Sequence, residues 1–214
     1  MHIKANIKRL LLYRLCLMKF REMGLTKVYS HNLGLEARVT PAQIRKDFSH
    51  FGITGNKKGG YEINKLIESL DDIFRKNQNQ LVILVGMGNI GRALSHYVCG
   101  FTERKQYIIA GFDVDPSKIK KSFNIPVYPM ADLNEFILMN KIKVAILAVP
   151  AISAQEVCNQ LIECGVKGIM NFAPIVLQVP HDVIVNNINL CDELESVIYT
   201  AISNQDFSPS DLPE

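Results

Sequence analysis

The stretch LVILVGMGNIGRAL, residues 81–94, limits the possible folds more than any other part of the chain. An apolar, β-branched run enters three glycines, Gly86, Gly88 and Gly91, spaced GxGxxG, and the chain resumes with helix-forming residues. A lone GxGxxG carries little information; between a strand and a helix it reads as a dinucleotide cradle. Gly86 then allows the tight turn, Gly88 lets a pyrophosphate approach, and Gly91 lets the helix pack on the strand. The helix start supplies amide donors and a dipole that favours phosphate. Beyond the cradle, strands are predicted at 81–85, 107–112, 126–128, 143–149, 167–171 and 184–188, with helices near 90–100, 132–140 and 153–164. That alternation predicts an α/β fold, a Rossmann-like doubly wound parallel sheet. Its second strand, YIIAGFDVD, ends at Asp113, placed to bond the adenosine ribose hydroxyls. A carboxylate there repels a 2′-phosphate, which predicts NAD(H) rather than its phosphorylated form. The separation of 27 residues from Gly86 to Asp113 is a little longer than the usual value of about 20.

A dehydrogenase built on this cradle needs a general acid or base near the nicotinamide. His2, His31 and His50 precede the cradle, His181 follows Pro180 in a turn, and His96 is expected to face outward on the cofactor helix. The expectation is a site that binds without transforming, with no catalytic residue. The alternative is an NAD-dependent oxidoreductase with an unusual basic N-terminal domain. A coenzyme A module is a third reading, which Asp113 opposes because that ligand carries a 3′-phosphate. Cys16, Cys99, Cys158, Cys164 and Cys191 form no CxxC pair or zinc cluster, so no metal is expected and the thiols read as reduced and cytoplasmic. Apolar runs such as Val144–Ile152 fall short of the roughly 18 residues a membrane span needs. The first apolar patch is interrupted by Arg14 and followed by Lys19 and Arg21, unlike a secretory leader.

Charge divides the chain. Residues 1–80 carry 15 Lys and Arg against 7 Asp and Glu, net +8; residues 81–214 carry 9 against 14, net −5. Such asymmetry points the basic part toward a polyanion. A long helix is predicted from Ile3 to Met23, ended by Gly24, with apolar residues on more than one face. A short helix follows from Ser30 to about Glu36, and Thr40-Pro41 caps a third, PAQIRKDFSHF, which stops at Gly52. Two short helices with a capped, basic second member match a helix-turn-helix. Ile44, Phe48 and Phe51 are spaced to face the core. Gln43 and Arg45 suit base edges and Lys46 and Ser49 suit phosphates, with Ser30 and Thr40 as further candidate DNA contacts. The segment GITGNKKGGYEI predicts a hairpin wing whose tip, Lys57-Lys58, reaches a minor groove. A helix runs on from Glu62 to about Lys76. The last helix, Leu190 to Ser203, carries Leu194, Val197, Ile198, Ala201 and Ile202 on one face and so requires a partner. The predicted domains are 1–78, a DNA-binding winged helix; 79–189, the dinucleotide-binding sheet; 190–205, a dimer-exchange helix; and 206–214, a disordered tail.

RVTPAQIRKDFSHFG, the glycine-rich wing ending in GGY, VGMGNIGRAL, FDVDP, AVPA and NFAP occur in that order. Across about residues 5–203 the chain resembles the redox-sensing transcriptional repressor family called Rex. The resemblance implies a homodimer with an N-terminal winged helix and a terminal helix exchanged between subunits. It implies a repressor of double-stranded, palindromic operator DNA that NADH releases. Carried over, Gly86, Met87, Gly88, Asn89, Ile90 and Gly91 would hold the pyrophosphate, and Asp113, with Val114, Asp115 and Lys118 beside it, the ribose. Tyr97, Val149, Pro150, Asn171, Ala173 and Pro174 would surround the nicotinamide. Two positions depart from the pattern. The family often pairs an arginine of the first helix with an aspartate of the exchanged segment; those positions here are Leu15 and Asn189. Losing both partners of a charge pair can be nearly neutral for the fold. The expected consequence is weaker or differently tuned discrimination between NADH and NAD⁺.

Overall fold

In the computed structural model, residues 2–55, 59–74, 79–96, 106–119 and 123–203 are described. The chain divides into two compact units, 1–78 and 79–214.

The first unit runs α1 (His2–Glu22), β1 (Lys27–Val28), α2 (Ser30–Ala37), α3 (Pro41–His50), β2 (Tyr61–Glu62) and α4 (Ile63–Ile73). On α1 the series Leu10, Tyr13, Leu17 and Phe20 is buried, following the helical repeat. Leu11, Leu12 and Leu15 on its other side are exposed. The buried series packs with Leu33 of α2, Ile44 and Phe48 of α3, and Ile63, Leu66 and Leu70 of α4. The Phe48 ring lies edge-on to Tyr13 and Tyr61, at 5.6 and 5.2 Å between centroids. Thr40 caps α3 by accepting the Gln43 amide at 3.2 Å, with Pro41 at the first helical position. The expected hairpin after α3 takes a different form. Among the described residues β2 pairs antiparallel with β1, before α2, in the register Val28↔Tyr61. The chain leaving α3 instead folds back onto that helix, Ile53 donating its amide to the Phe48 carbonyl at 2.9 Å. Lys57 and Lys58 lie outside the described residues.

The second unit runs β3 (Gln80–Val85), α5 (Asn89–His96), β4 (Gln106–Asp113), α6 (Pro116–Ile119), β5 (Val127–Pro129), α7 (Leu133–Asn140), β6 (Val144–Leu147), α8 (Ala151–Glu163), β7 (Gly168–Asn171), β8 (Ile184–Asn187) and α9 (Leu190–Ser203). Six parallel strands form one sheet in the order β5-β4-β3-β6-β7-β8. Parallel strands buried on both faces need apolar residues throughout, as VILV and VAIL supply. On one face Ile83, Val85, Phe112, Ala145 and Leu147 pack with Leu133 and Ile137 of α7 and Ala154, Cys158 and Leu161 of α8. Leu84, Met87, Ile108, Ile125 and Ile146 form a second cluster. Strand order reverses between β3 and β6, which opens a crevice at their carboxyl ends. The one-turn α6 was not anticipated. No residue of α9 is buried, and its Leu194, Val197, Ile198, Tyr199 and Ile202 are exposed. No described helix is long and apolar enough to cross a membrane, and no described His, Cys, Asp or Glu cluster could hold a metal ion.

Candidate functional site

A cleft of about 610 Å³ opens at the carboxyl ends of β3 and β6. Its glycine wall is shaped by two close approaches. Gly86 sits at φ +96°, and a Cβ there would lie 2.4 Å from the Ala148 carbonyl oxygen. A Cβ on Gly91 would lie 1.9 Å from the Gly86 oxygen. Gly88 differs, having nothing within 4 Å of where its Cβ would point. Gly88, Asn89 and Ile90 line this open cradle at the start of α5, whose first-turn amides have no partner within the helix. Such amides and the helix dipole suit a pyrophosphate. Val149 and Pro150 lead into α8, which adds Ser153 and Val157, while Phe112, Met130, Phe172 and Pro174 complete a mainly apolar lining. The residues present therefore fit a dinucleotide: anion donors at one wall and flat apolar surface for a ring.

Asp113 ends β4 at the same cleft, only 5% exposed. Its Oδ2 accepts the Met87 amide at 2.7 Å and its Oδ1 the Asp115 amide at 2.9 Å. The Lys118 ammonium donates to both oxygens, at 3.0 and 3.3 Å. Asp113 thus ties the glycine turn to β4, and Lys118 offsets its charge. A bare carboxylate repelling a 2′-phosphate, as read from the sequence, is only part of the local field. Val114 stands 82% exposed at the rim. Asp115 is turned into its own chain, accepting the Ser117 amide at 2.9 Å.

Three residues expected to touch ligand lie beneath the cleft. Met87 is fully buried, its sulfur filling the space left by Gly111. Asn171 is fully buried and Ala173 nearly so. The Asn171 amide group donates to the carbonyls of Ala173 and Ile175, at 3.2 and 2.9 Å, and to Asn187 Oδ1 at 3.0 Å. Its oxygen accepts the Ala173 amide at 3.0 Å. Asn171 therefore shapes the turn that presents Phe172 and Pro174. Asn171→Leu is expected to cost about 2–3 kcal/mol by leaving buried carbonyls unpaired; chemical denaturation would measure it, and an unchanged midpoint would contradict it. Tyr97 lies outside the described residues. Met130, Ser153 and Val157 were not anticipated; the helical spacing of Ser153 and Val157 after AVPA was the available signal.

In the first unit, Thr40, Arg45, Lys46 and Ser49 are exposed. Arg45 Nη1 donates to Ser30 Oγ at 3.0 Å. Gln43 behaves differently from its expected role, being half-buried with its amide donating to Asp47 Oδ1 at 2.7 Å. Asp47, 2% exposed, also accepts both Arg9 Nη2 and Nε at 2.6 Å and the Tyr13 hydroxyl at 2.8 Å. Burial pushes the Asp47 carboxyl upward, but the bonds from Arg9, Tyr13 and Gln43, with the Arg9 charge, hold it below the ordinary carboxylate range. Burial and the Asp47 bond raise the Tyr13 phenol. Leu15 is 57% exposed. Neighbouring Arg14 is committed to Asp71, at 2.5 and 3.1 Å. Asn189 caps α9, its Oδ1 accepting the Cys191 amide at 3.1 Å.

Residues 4–49 match a family described as a putative DNA-binding protein N-terminus, and 77–175 a CoA binding domain. The redox-sensing transcriptional repressor Rex of Streptococcus pyogenes serotype M5 (strain Manfredo) is 42% identical over 200 residues, 92% of each chain. The chain belongs to the Rex family. The Rex of serotype M1 matches to the same extent. Among solved structures, RSP in complex with beta-NADH superposes with a TM-score of 0.84 at 32% identity, covering 94% of both chains. RSP with beta-NAD+ and operator DNA superposes with a TM-score of 0.88 at 32% identity, covering 94% of this chain and 93% of the other. The Rex family is one of redox-sensing transcriptional repressors, and its N-terminal DNA-binding domain precedes a Rossmann-like sheet here as well.

Proposed function

We propose that this Rex protein represses transcription by binding a palindromic operator through α2 and α3, and that NADH in the Gly88 cleft releases it. The observation that carries the reading is one chain holding both an open, amide-lined pyrophosphate cradle and a capped helix-turn-helix with exposed Arg45 and Lys46. The nicotinamide's redox state is the signal the bound dinucleotide supplies. Gly88, Asn89 and Ile90 would hold the pyrophosphate, and Asp113 with Lys118 the adenosine ribose. Val149, Pro150, Phe172 and Pro174 would exclude water from the ring. Residues 1–78 serve as reader and 79–189 as sensor. The exposed stripe of α9 supports a homodimer that buries it against a second copy. The protein acts in the cytoplasm.

Binding without turnover is favoured by the chemistry of the lining. Asp113 and Lys118 neutralise each other, Ser153 donates to the Pro150 carbonyl at 3.2 Å, and the remaining lining side chains are apolar or amide. Steady NADH oxidation with an aldehyde or keto-acid panel would instead favour an oxidoreductase.

Titrating a palindromic duplex with and without NADH tests the reading. The expected result is a 5–150-fold loss of DNA affinity with NADH, a coupling of about 1–3 kcal/mol, and an equal loss of NADH affinity with DNA. Asp113→Asn is expected to weaken NADH binding while leaving unliganded DNA binding intact; loss of both would place its effect on folding. With Leu15 exposed and Asn189 spent as a cap, NAD⁺ is expected to release DNA to a degree nearer that of NADH. A ligand moves such an equilibrium only by its differential affinity for the two states.

A further inference from the structure

We propose that Lys118 sets how strongly the cleft rejects a ribose 2′-phosphate, so that discrimination between NADH and NADPH resides in the Asp113–Lys118 pair and not in Asp113 alone. The inference rests on the dinucleotide reading of the cleft given above. An acidic residue at the end of the second strand ordinarily favours the unphosphorylated cofactor by bonding the ribose 2′-hydroxyl. Asp113 has the place for this, at the end of β4 and on the cleft wall. It does not stand there as a bare charge. The Lys118 ammonium donates to Asp113 Oδ2 at 3.0 Å and to Oδ1 at 3.3 Å, and both side chains line the cleft. A phosphate set against an unpaired carboxylate suffers the full cost of like charges in contact. Set against this pair, it meets a local charge close to zero.

Asp113 is placed by the backbone and does not depend on Lys118 for its position. The Met87 amide donates to Oδ2 at 2.7 Å and the Asp115 amide to Oδ1 at 2.9 Å, and the residue is 5% exposed. Lys118 is less confined, with 30% of its side chain exposed on the one-turn α6. An ammonium on a flexible four-carbon stem is a point charge that can move and that binds phosphate. A carboxylate offers about four lone-pair positions, of which the two amides hold two. A ribose diol arriving at Asp113 therefore takes positions that the ammonium now uses, and frees the ammonium beside the 2′ oxygen. Lys118 is in this sense a phosphate ligand held in reserve by Asp113. The neighbouring Asp115 carboxylate, which accepts the Ser117 amide at 2.9 Å, is common to every variant below.

Calorimetric titration of the full chain with NADH and with NADPH gives the ratio of the two dissociation constants for each variant. The wild type is expected to prefer NADH. Lys118→Met, which keeps an apolar stem and loses the charge, is expected to raise that preference about tenfold or more, mainly by weakening NADPH. Lys118→Arg restores the charge and is expected to return the ratio to within about threefold of wild type. Asp113→Asn is expected to lower the preference about tenfold or more, with NADPH affinity falling more steeply with salt than NADH affinity. The double variant Asp113→Asn/Lys118→Met is neutral again, and its ratio is expected to fall back toward the wild-type value. A ratio unchanged by Lys118→Met would show that Asp113 discriminates alone and overturn the proposal. Lys118→Arg behaving like Lys118→Met would also overturn it, since charge would then not be what Lys118 supplies. Failure of the wild-type chain to bind NADH at all would instead overturn the dinucleotide reading of the cleft.

Discussion

Asp47→Ala is expected to destabilise the N-terminal unit by about 2–4 kcal/mol, somewhat below the range for a fully buried ion pair because Arg9 keeps 27% of its side chain exposed. The substitution leaves the Arg9 guanidinium without its carboxylate and the fully buried Tyr13 hydroxyl without an acceptor. It also frees Gln43 and removes the tie between α1 and α3. Because the chain forms two units, a single melting temperature would blur the result. Amide hydrogen exchange separates them: protection in α1 and α3 is expected to collapse while β3, β4 and β6 keep theirs. Protection of α1 and α3 equal to wild type would refute the clamp.

The same carboxylate predicts an acid response. Its pKa in the folded chain lies below its unfolded value, ordinarily about 3.9. Its contribution is therefore fully present above that unfolded value and is lost as pH falls through the depressed folded one. Wild-type protection of α1 and α3 should decline below about pH 4, while Asp47→Asn, already weakened, should lack this component of the decline.

The clamp was invisible in the sequence, and the reason is physical. Periodicity reports which residues face inward; it does not report which polar groups meet once inside. Ile44 and Phe48 were placed correctly by spacing, but spacing says nothing of what Asp47 between them meets, because its partners Arg9 and Tyr13 lie 38 and 34 positions earlier. Gln43 was judged by its chemistry in isolation, and the structure adds the buried acceptor that its amide meets, Asp47 Oδ1. Asn171 repeats the lesson. It sits in the NFAP segment beside the cleft, yet its side chain is buried and bonded to Ala173, Ile175 and Asn187, partners that the sequence does not name. Backbone features were more legible. Thr40-Pro41, Gly24 and the glycine turn each encode a local geometry, and the apolar strands encode a parallel sheet, so α3, the end of α1 and the cleft fell where expected. The wing was harder, because β2 takes its partner from before α2, a long-range choice that turn residues do not record.

The glycines permit a second large effect, one that separates cofactor binding from folding. Gly91→Ala is expected to destabilise the second unit by about 1–3 kcal/mol or more, since its Cβ would collide with the Gly86 carbonyl inside a packed turn. Any loss of NADH binding in that variant would say little about contact. Gly88→Val is the informative change. Its Cβ meets nothing within 4 Å, so thermal stability should stay close to wild type. The added branches would stand in the cradle beside Asn89 and Ile90, where the proposed pyrophosphate site lies. Calorimetric titration is expected to find NADH affinity reduced at least 100-fold, about 2.7 kcal/mol. Wild-type affinity in Gly88→Val would move the pyrophosphate elsewhere. With binding lost and the fold retained, the variant should hold its operator regardless of NADH. A release by NADH that survived would mean that the signal enters the protein by some route other than this cleft.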